Sequence, residues 1–334
     1  MKKLRIGVIG CGGMSRVHGR AWTAPAMASQ VEIVGLCDPD RANLDRYQRE
    51  IFEPVRQKPP VFDDYRALLE SVPMDGVLIV TPHTQHFDQT MAALDAGCHV
   101  LVEKPMVMRA DHARQLIARA RKRKRIVSVA FPGPFSPEFA YIRRLMERGA
   151  LGRVQVVDAF VSQNWLELTR GTWRQDPKLS GAGQAYDSGA HMFNAILYLT
   201  GLKPVEVFAW SDNRGTPVDI DTVAVIRLAN GAFASATVAG NDWTGWDSAV
   251  HISGTKGTVR TAIHGGRVEQ WDSKGRVQYP RVTPVPSMYQ NFVDCIRGRA
   301  ETPSPPVWGL RQALLMDALY HSVRTGKPVK IEVV

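Results

Sequence analysis

The chain has 334 residues, 44% hydrophobic and 22% charged, which is long enough for two domains and too apolar for a disordered protein. Its net charge of +10 raises nucleic acid as a partner, but much of the excess lies in one run, Arg119 to Arg125, ending a helical pattern (Ala113, Leu116, Ile117, Ala120) where cations complement the helix dipole in water. No stretch reaches membrane-spanning length, the short glycine-rich run after Lys2 and Lys3 makes no signal-peptide core, and four scattered cysteines (Cys11, Cys37, Cys98, Cys295) form no Cys-x-x-Cys pair; a cytoplasmic chain with reduced thiols, no membrane and no nucleic acid is expected.

Leu4 to Ile9 reads as an apolar strand running into Gly10-Cys11-Gly12-Gly13-Met14-Ser15, then helix-compatible residues through Ala28. A strand, a tight glycine turn and a helix let the backbone approach a pyrophosphate and aim unpaired helix N–H groups at it, so Gly10, Gly12, Gly13 and Met14 are candidate cofactor contacts. The third glycine of the fingerprint is Ser15, a small residue at a position that serves helix-on-strand packing. A second strand, Val31 to Cys37, ends in Asp38, at about the ~20 to 25 residues beyond the glycines where a dinucleotide fold places its ribose-binding carboxylate. Asp38 would accept the ribose hydroxyls and repel a 2′-phosphate, which favours NAD over NADP, with Arg41 pulling the other way. The alternative for Asp38 is the N-cap of a helix from Asp40 through Arg49.

Three more alternations follow: Val61-Phe62 with a helix from Asp64, Gly76 to Val80 with a helix from Gln85 to Ala96, and Cys98 to Val102. Repeated βα units predict a doubly wound parallel sheet. Thr81-Pro82-His83-Thr84-Gln85-His86 lies at a strand's carboxyl end and reads as a loop beside the cofactor; no metal site is expected, because no local cysteine or carboxylate completes a set with His83 and His86. After Val102 the apolar run stops at Glu103-Lys104-Pro105, which delivers an ammonium to the ligand crevice of such a sheet or simply leaves a strand at a surface Lys-Pro.

The proline-rich segment Phe131 to Pro137 marks a boundary, giving domains 1–130 and 131–334. The second half predicts a helix (Glu138 to Arg148), a strand (Val154 to Val161), an irregular stretch rich in tryptophan and glycine (Gln163 to Gly183) and a helix from Tyr186 to Leu199. Short strands follow at Val205 to Trp210, Thr222 to Leu228, Phe233 to Ala239, Ala249 to Ser253 and Thr258 to Ile263, spaced for an antiparallel sheet, and helices at Met288 to Ile296 and Leu310 to Arg324 close the chain. Asp187 and His191, four apart, would share a helical face, with the imidazole suited to taking a proton and the carboxylate orienting it; a capping aspartate and a core histidine are the alternative. Trp165, Trp173, Trp243 and Trp246 could cover the C–H face of a pyranose or pack in the core, and Asn164, Arg174, Gln175 and Asn241 could bind hydroxyls.

Gly10-Cys11-Gly12, Asp38, Thr81-Pro82-x-x-x-His86, Glu103-Lys104-Pro105, Trp173-Arg174 and Gly183 to His191 occur in an order that resembles the Gfo/Idh/MocA oxidoreductases across nearly the whole chain. The resemblance implies a Rossmann domain joined to an α/β domain with an open, mainly antiparallel sheet. It implies Lys104, Asp187 and His191 as the catalytic group, Glu103 and His86 near the nicotinamide ribose, and further cofactor contacts from Thr81, Pro82, His83, Trp173 and Arg174. Substrate contacts are expected from Lys104, Asn164, Trp165, Asp187, His191 and Trp243. His83 stands where many members carry asparagine and Asn194 where many carry aspartate, which bears on substrate identity. The expected reaction is hydride transfer between a secondary hydroxyl of a sugar, sugar derivative or cyclitol and NAD, in a homo-oligomer (dimer or tetramer). The competing enzyme class is a glycosidase or isomerase that recycles NAD through a transient keto-sugar; a non-enzymatic NAD-dependent sensor would not need Lys104, Asp187 and His191.

Overall fold

The computed structural model describes residues 2–334, which form two compact units. The first comprises the chain up to Val107, Asp111–Ala130 and Pro286–Pro306. Its six strands, β1 (Leu4–Ile9), β2 (Val31–Cys37), β3 (Val61–Phe62), β4 (Gly76–Ile79), β5 (His99–Val102) and β6 (Val127–Val129), pair in parallel in the order β3-β2-β1-β4-β5-β6. Val77, Leu78, Ile79, Val100, Leu101 and Val102 are fully buried, as strands covered on both faces require. The strand order reverses between β1 and β4, the switch point at whose carboxyl ends such sheets bind their ligands.

The second unit comprises Phe131–Val285 and Val307–Val334 with Met108–Ala110. Nine strands, β7 (Val154–Ser162), β8 (Pro204–Asp212), β9 (Asp221–Leu228), β10 (Phe233–Ala239), β11 (Asp247–Gly254), β12 (Gly257–Thr261), β13 (Glu269–Asp272), β14 (Val277–Gln278) and β15 (Val329–Lys330), form one sheet in the order β14-β13-β12-β11-β7-β10-β9-β8-β15. All pairs are antiparallel except β10 with β7. Burial alternates along β9 and β10, so one face of the sheet is core and the other is open. The helix Gly189–Thr200 covers the core face, its Phe193, Ile196, Leu197 and Leu199 fully buried, each contributing about 1.5–3 kcal/mol of apolar burial.

Three expectations change. A single cut at residue 130 is too simple, because Pro286–Pro306 belongs to the first unit: Phe292 and Val293, on the helix Met288–Ile296, are buried in the same cluster as Ile6, Val8, Trp22 and Leu101. The helix drawn from Tyr186 begins at Gly189, with residues 184–188 in turns, so Asp187 precedes it. Strands β13 to β15 escaped notice because they are short and, in β13 and β14, largely polar.

Candidate active site

In the first unit, β1 is followed by Gly10, whose φ of +91° suits only glycine; a Cβ there would lie 2.3 Å from the Val80 carbonyl oxygen. Gly12 and Gly13, at the start of the helix Gly13–Thr23, would point a Cβ into open space, and no side chain caps that helix. A dinucleotide pyrophosphate fits this arrangement: backbone can be approached closely and the first helical N–H groups remain for anionic oxygens. Met14 is half exposed beside them, and Ser15, in place of the third glycine, is fully buried.

Asp38 closes the loop from the end of β2. One carboxylate oxygen accepts the Cys11 N–H at 2.7 Å and the other the Asp40 N–H at 2.9 Å. It is not the helix cap; Asp40 is, accepting the Ala42 N–H at 2.9 Å. Arg41 pairs with Asp45 at 3.0 Å.

Thr81, Pro82 and His83 follow β4, and Thr81 donates its hydroxyl to Gln89 Oε1 at 2.6 Å. His86, expected near the nicotinamide ribose, is a structural brace in the fold. Its ring is fully buried, with Nδ1 2.7 Å from the Pro105 carbonyl and Nε2 2.9 Å from the Thr81 carbonyl, so it braces two loops and presents no nitrogen to a ligand. Burial lowers its pKa, against the raising influence of those two carbonyls.

Glu103 accepts the Lys104 N–H at 2.9 Å and lies 2.8 Å from His18 Nε2, whose Nδ1 lies 3.1 Å from the Tyr289 hydroxyl. Burial pushes the Glu103 carboxyl up, but the His18 bond, the His18 and Lys104 charges and the Lys104 N–H together hold it below the ordinary carboxylate value. Burial, with the Glu103 charge, raises Tyr289 to about 12. Lys104 itself is half-buried after β5, and the Lys104–Pro105 bond is cis. Sequence reasoning missed His18 and Tyr289: one sits inside a helix beyond the glycine loop, the other is 271 residues away in the chain.

In the second unit the turn before the helix Gly189–Thr200 is built on Asp219. Its two oxygens accept the Gly183 and Ala185 N–H groups, both at 2.8 Å, and Tyr320 donates its hydroxyl to it at 2.8 Å. A Cβ on Gly183 would sit 1.9 Å from the Asp219 carbonyl oxygen, so the approach requires glycine. Asp219 was not anticipated; an acid between Val218 and Ile220, both buried, was the available signal.

The turn holds Asp187 at 4% exposure, and its Oδ2 accepts Trp165 Nε1–H at 2.9 Å and Arg174 Nε–H at 3.0 Å. Trp165 takes the core-packing alternative: it is 2% exposed, packed with Leu166, Val218 and Ile220, and reaches Asp187 through its N–H. Arg174, expected at the cofactor, engages Asp187 and lies over the Trp173 ring at 4.5 Å. His191 lies half-buried in the helix's first turn, its ring edge-on to His264 at 4.3 Å and to Phe131 at 6.2 Å, and His264 stacks on Trp246 at 5.2 Å. Asn164 keeps a buried Oδ1 with no hydrogen-bond partner, and Trp243 is 79% exposed.

Among the described residues no cluster of three or more His, Cys, Asp or Glu is placed to hold a metal, and no helix is long and apolar enough to cross a membrane. The basic run is engaged locally: Arg119 and Arg123 pair with Asp95, and Arg125 donates to the Gly97 carbonyl.

Residues 4–131 match the family described as an oxidoreductase family with an NAD-binding Rossmann fold, and residues 139–260 match the GFO/IDH/MocA C-terminal domain. Among curated relatives, the D-glucoside 3-dehydrogenase of Escherichia coli K12 is 29% identical over 61% of this chain and 56% of its own length. The levoglucosan dehydrogenase of Pseudarthrobacter phenanthrenivorans is 26% identical over 72% of this chain and 68% of its own. The chain thus spans little more than half the length of the first and about two thirds of the second. In fold, the chain superposes on the WlbA dehydrogenase of Bordetella pertussis, solved with NADH and UDP-GlcNAcA, with a TM-score of 0.83 at 22% identity and 100% coverage of both chains.

Proposed function

The chain belongs to the Gfo/Idh/MocA oxidoreductase family, with that family's NAD-binding Rossmann domain, and from this premise we propose that it interconverts a secondary alcohol and a ketone on a sugar, sugar derivative or cyclitol. Gly10, Gly12, Gly13, Met14, Asp38 and the Thr81–His83 loop hold the dinucleotide, which when bound supplies the acceptor for the carbinol hydride. As that C–H bond breaks, the hydroxyl must lose its proton. A ring nitrogen of His191 takes it, and the Lys104 ammonium steadies the oxygen as its negative charge develops. Asp187 keeps its charge in place through Trp165 and Arg174 and sets the turn from which His191 projects. In the reverse direction His191 returns the proton.

The observation that carries this reading is the pairing of a rigidly held carboxylate with a half-buried imidazole one turn further on, in a chain whose other half is built for NAD. The names of the curated relatives, a glucoside dehydrogenase and an anhydrosugar dehydrogenase, support the substrate class. A panel of sugars, cyclitols and glycosides with NAD, followed at the NADH absorbance, tests it. Substrate-dependent NADH formation that His191→Ala and Lys104→Ala slow by orders of magnitude is the expected result. No reduction with any member, or full turnover in both variants, defeats it; bond cleavage at catalytic NAD without lasting NADH would identify a cofactor-recycling enzyme.

A homo-oligomer is part of the proposal. Val156, Trp210, Val223, Val225 and Phe233 lie on β7 to β10 at 46–63% exposure, an apolar sheet face that an identical subunit would cover. Sedimentation of the full chain as a monomer would exclude it.

A further inference from the structure

A cavity of about 390 Å³ opens in the second unit, lined by Gln163, Asn164, Glu167, Leu168, Gly245 and Trp246. Two of its walls are tied to the catalytic turn. Trp246 is held flat by stacking on His264, which meets His191 edge-on. Gln163 donates its side-chain N–H to Ser188, the neighbour of Asp187. The lining is mixed: the Trp246 indole and Leu168 are apolar, and Gln163 and Asn164 carry amides. The side-chain amides of Gln163 and Asn164 in the lining favour an occupant that carries hydroxyls. The only charged lining residue is Glu167, an acid already bonded to Arg170, which disfavours phosphate and nucleotide groups.

Resting on the function proposed above, we propose that this cavity is a subsite for a second, neutral sugar ring. Its C–H face lies on Trp246 and its hydroxyls meet the side-chain amides of Gln163 and Asn164, while the ring that reacts lies at His191. The natural substrate is then a disaccharide or larger glycoside rather than a free monosaccharide or a nucleotide sugar.

The test compares methyl glucosides with cellobiose and maltose on the full-length protein, in wild type, Trp246→Ala, Trp246→Phe and Asn164→Ala. With NAD, kcat/KM for the preferred disaccharide is expected to exceed that for the methyl glucoside, and Trp246→Ala and Asn164→Ala to shrink that preference roughly tenfold, chiefly through KM. Trp246→Phe should restore most of it. Because Trp246 also touches His264, losses of kcat shared by both sugars are set aside; the preference is the readout. An unchanged preference in both alanine variants overturns the proposal.

Ligand-observed NMR with NADH present makes the test independent of turnover. If no sugar reduces NAD, yet the disaccharide binds wild type and fails to bind Trp246→Ala, the subsite stands and the dehydrogenase reading falls. A disaccharide that binds no tighter than the methyl glucoside, or less tightly than a UDP-sugar, overturns the subsite whatever the kinetics show.

Discussion

His86 and His191 stand at corresponding kinds of place, each beginning a helix after a loop that follows a conspicuous motif, and the protein treats them in opposite ways. His86 is sealed in, both nitrogens facing carbonyl oxygens and its charged form disfavoured by burial. His191 is half-buried, with the rings of His264 and Phe131 perpendicular to its own. An imidazole used as a brace gives up the freedom to trade protons, and the proton transfer proposed for His191 asks for a ring that solvent and substrate can reach.

The sharpest way to break this contrast is substitution at both positions. His191→Ala is expected to lower turnover by roughly two to four orders of magnitude with NAD affinity kept, the size of a general-base contribution, measured by steady-state kinetics and NAD titration. Equal loss of NAD affinity would make His191 structural. His86→Ala is expected to cost about 2–4 kcal/mol of stability in urea unfolding, because a void opens and a buried carbonyl loses the imidazole N–H it accepts. A stable His86→Ala protein would remove the brace.

Asp38→Ala should weaken NAD binding roughly tenfold and reduce discrimination against NADP, as loss of a charged hydrogen-bond acceptor implies; unchanged preference would dissociate Asp38 from the ribose. Trp165→Phe keeps the packing and removes one N–H from Asp187, so a several-fold fall in kcat with KM nearly unchanged is expected, about 1 kcal/mol.

The smallest effect concerns a third histidine. Burial, aided by the Arg125 charge, lowers His99 from 6.5 to about 4, and its Nδ1 accepts the Ile126 N–H at 3.1 Å. The unfolded chain takes up that proton below pH 6.5 and the folded chain only near 4, so this contribution is complete above pH 6.5 and is lost as pH falls to 4. The ring is partly exposed, so the loss is on the order of 1–2 kcal/mol. His99→Gln should flatten unfolding free energy across that window; an identical pH profile would contradict the shift.

The parallel unit was legible because its rules are local: apolar runs of strand length, a glycine turn after the first, an acid after the second. Gly10 shows why, since its positive φ and the Val80 carbonyl at its back leave room for no other residue. The second unit was less legible. Its short polar strands β13 and β14 carry little pattern, and the helix after Gly183 begins three residues late because Asp219, distant in sequence, bonds residues 183 and 185 into a turn.

By itself the sequence determined the parallel sheet, the cofactor loop, the mainly antiparallel second sheet and the two short motifs that carry Lys104 and His191, since spacing and side-chain chemistry are properties of neighbours along the chain. Only the tertiary structure decided that His86 is a brace, that the Trp165 N–H bonds Asp187, that Asp219 holds the turn before the helix Gly189–Thr200 and that Phe292 returns a late helix to the first unit. The reason is physical: which nitrogen is bonded, which ring face is covered and which carboxylate is buried depend on partners dozens to hundreds of residues away, and no local pattern records them.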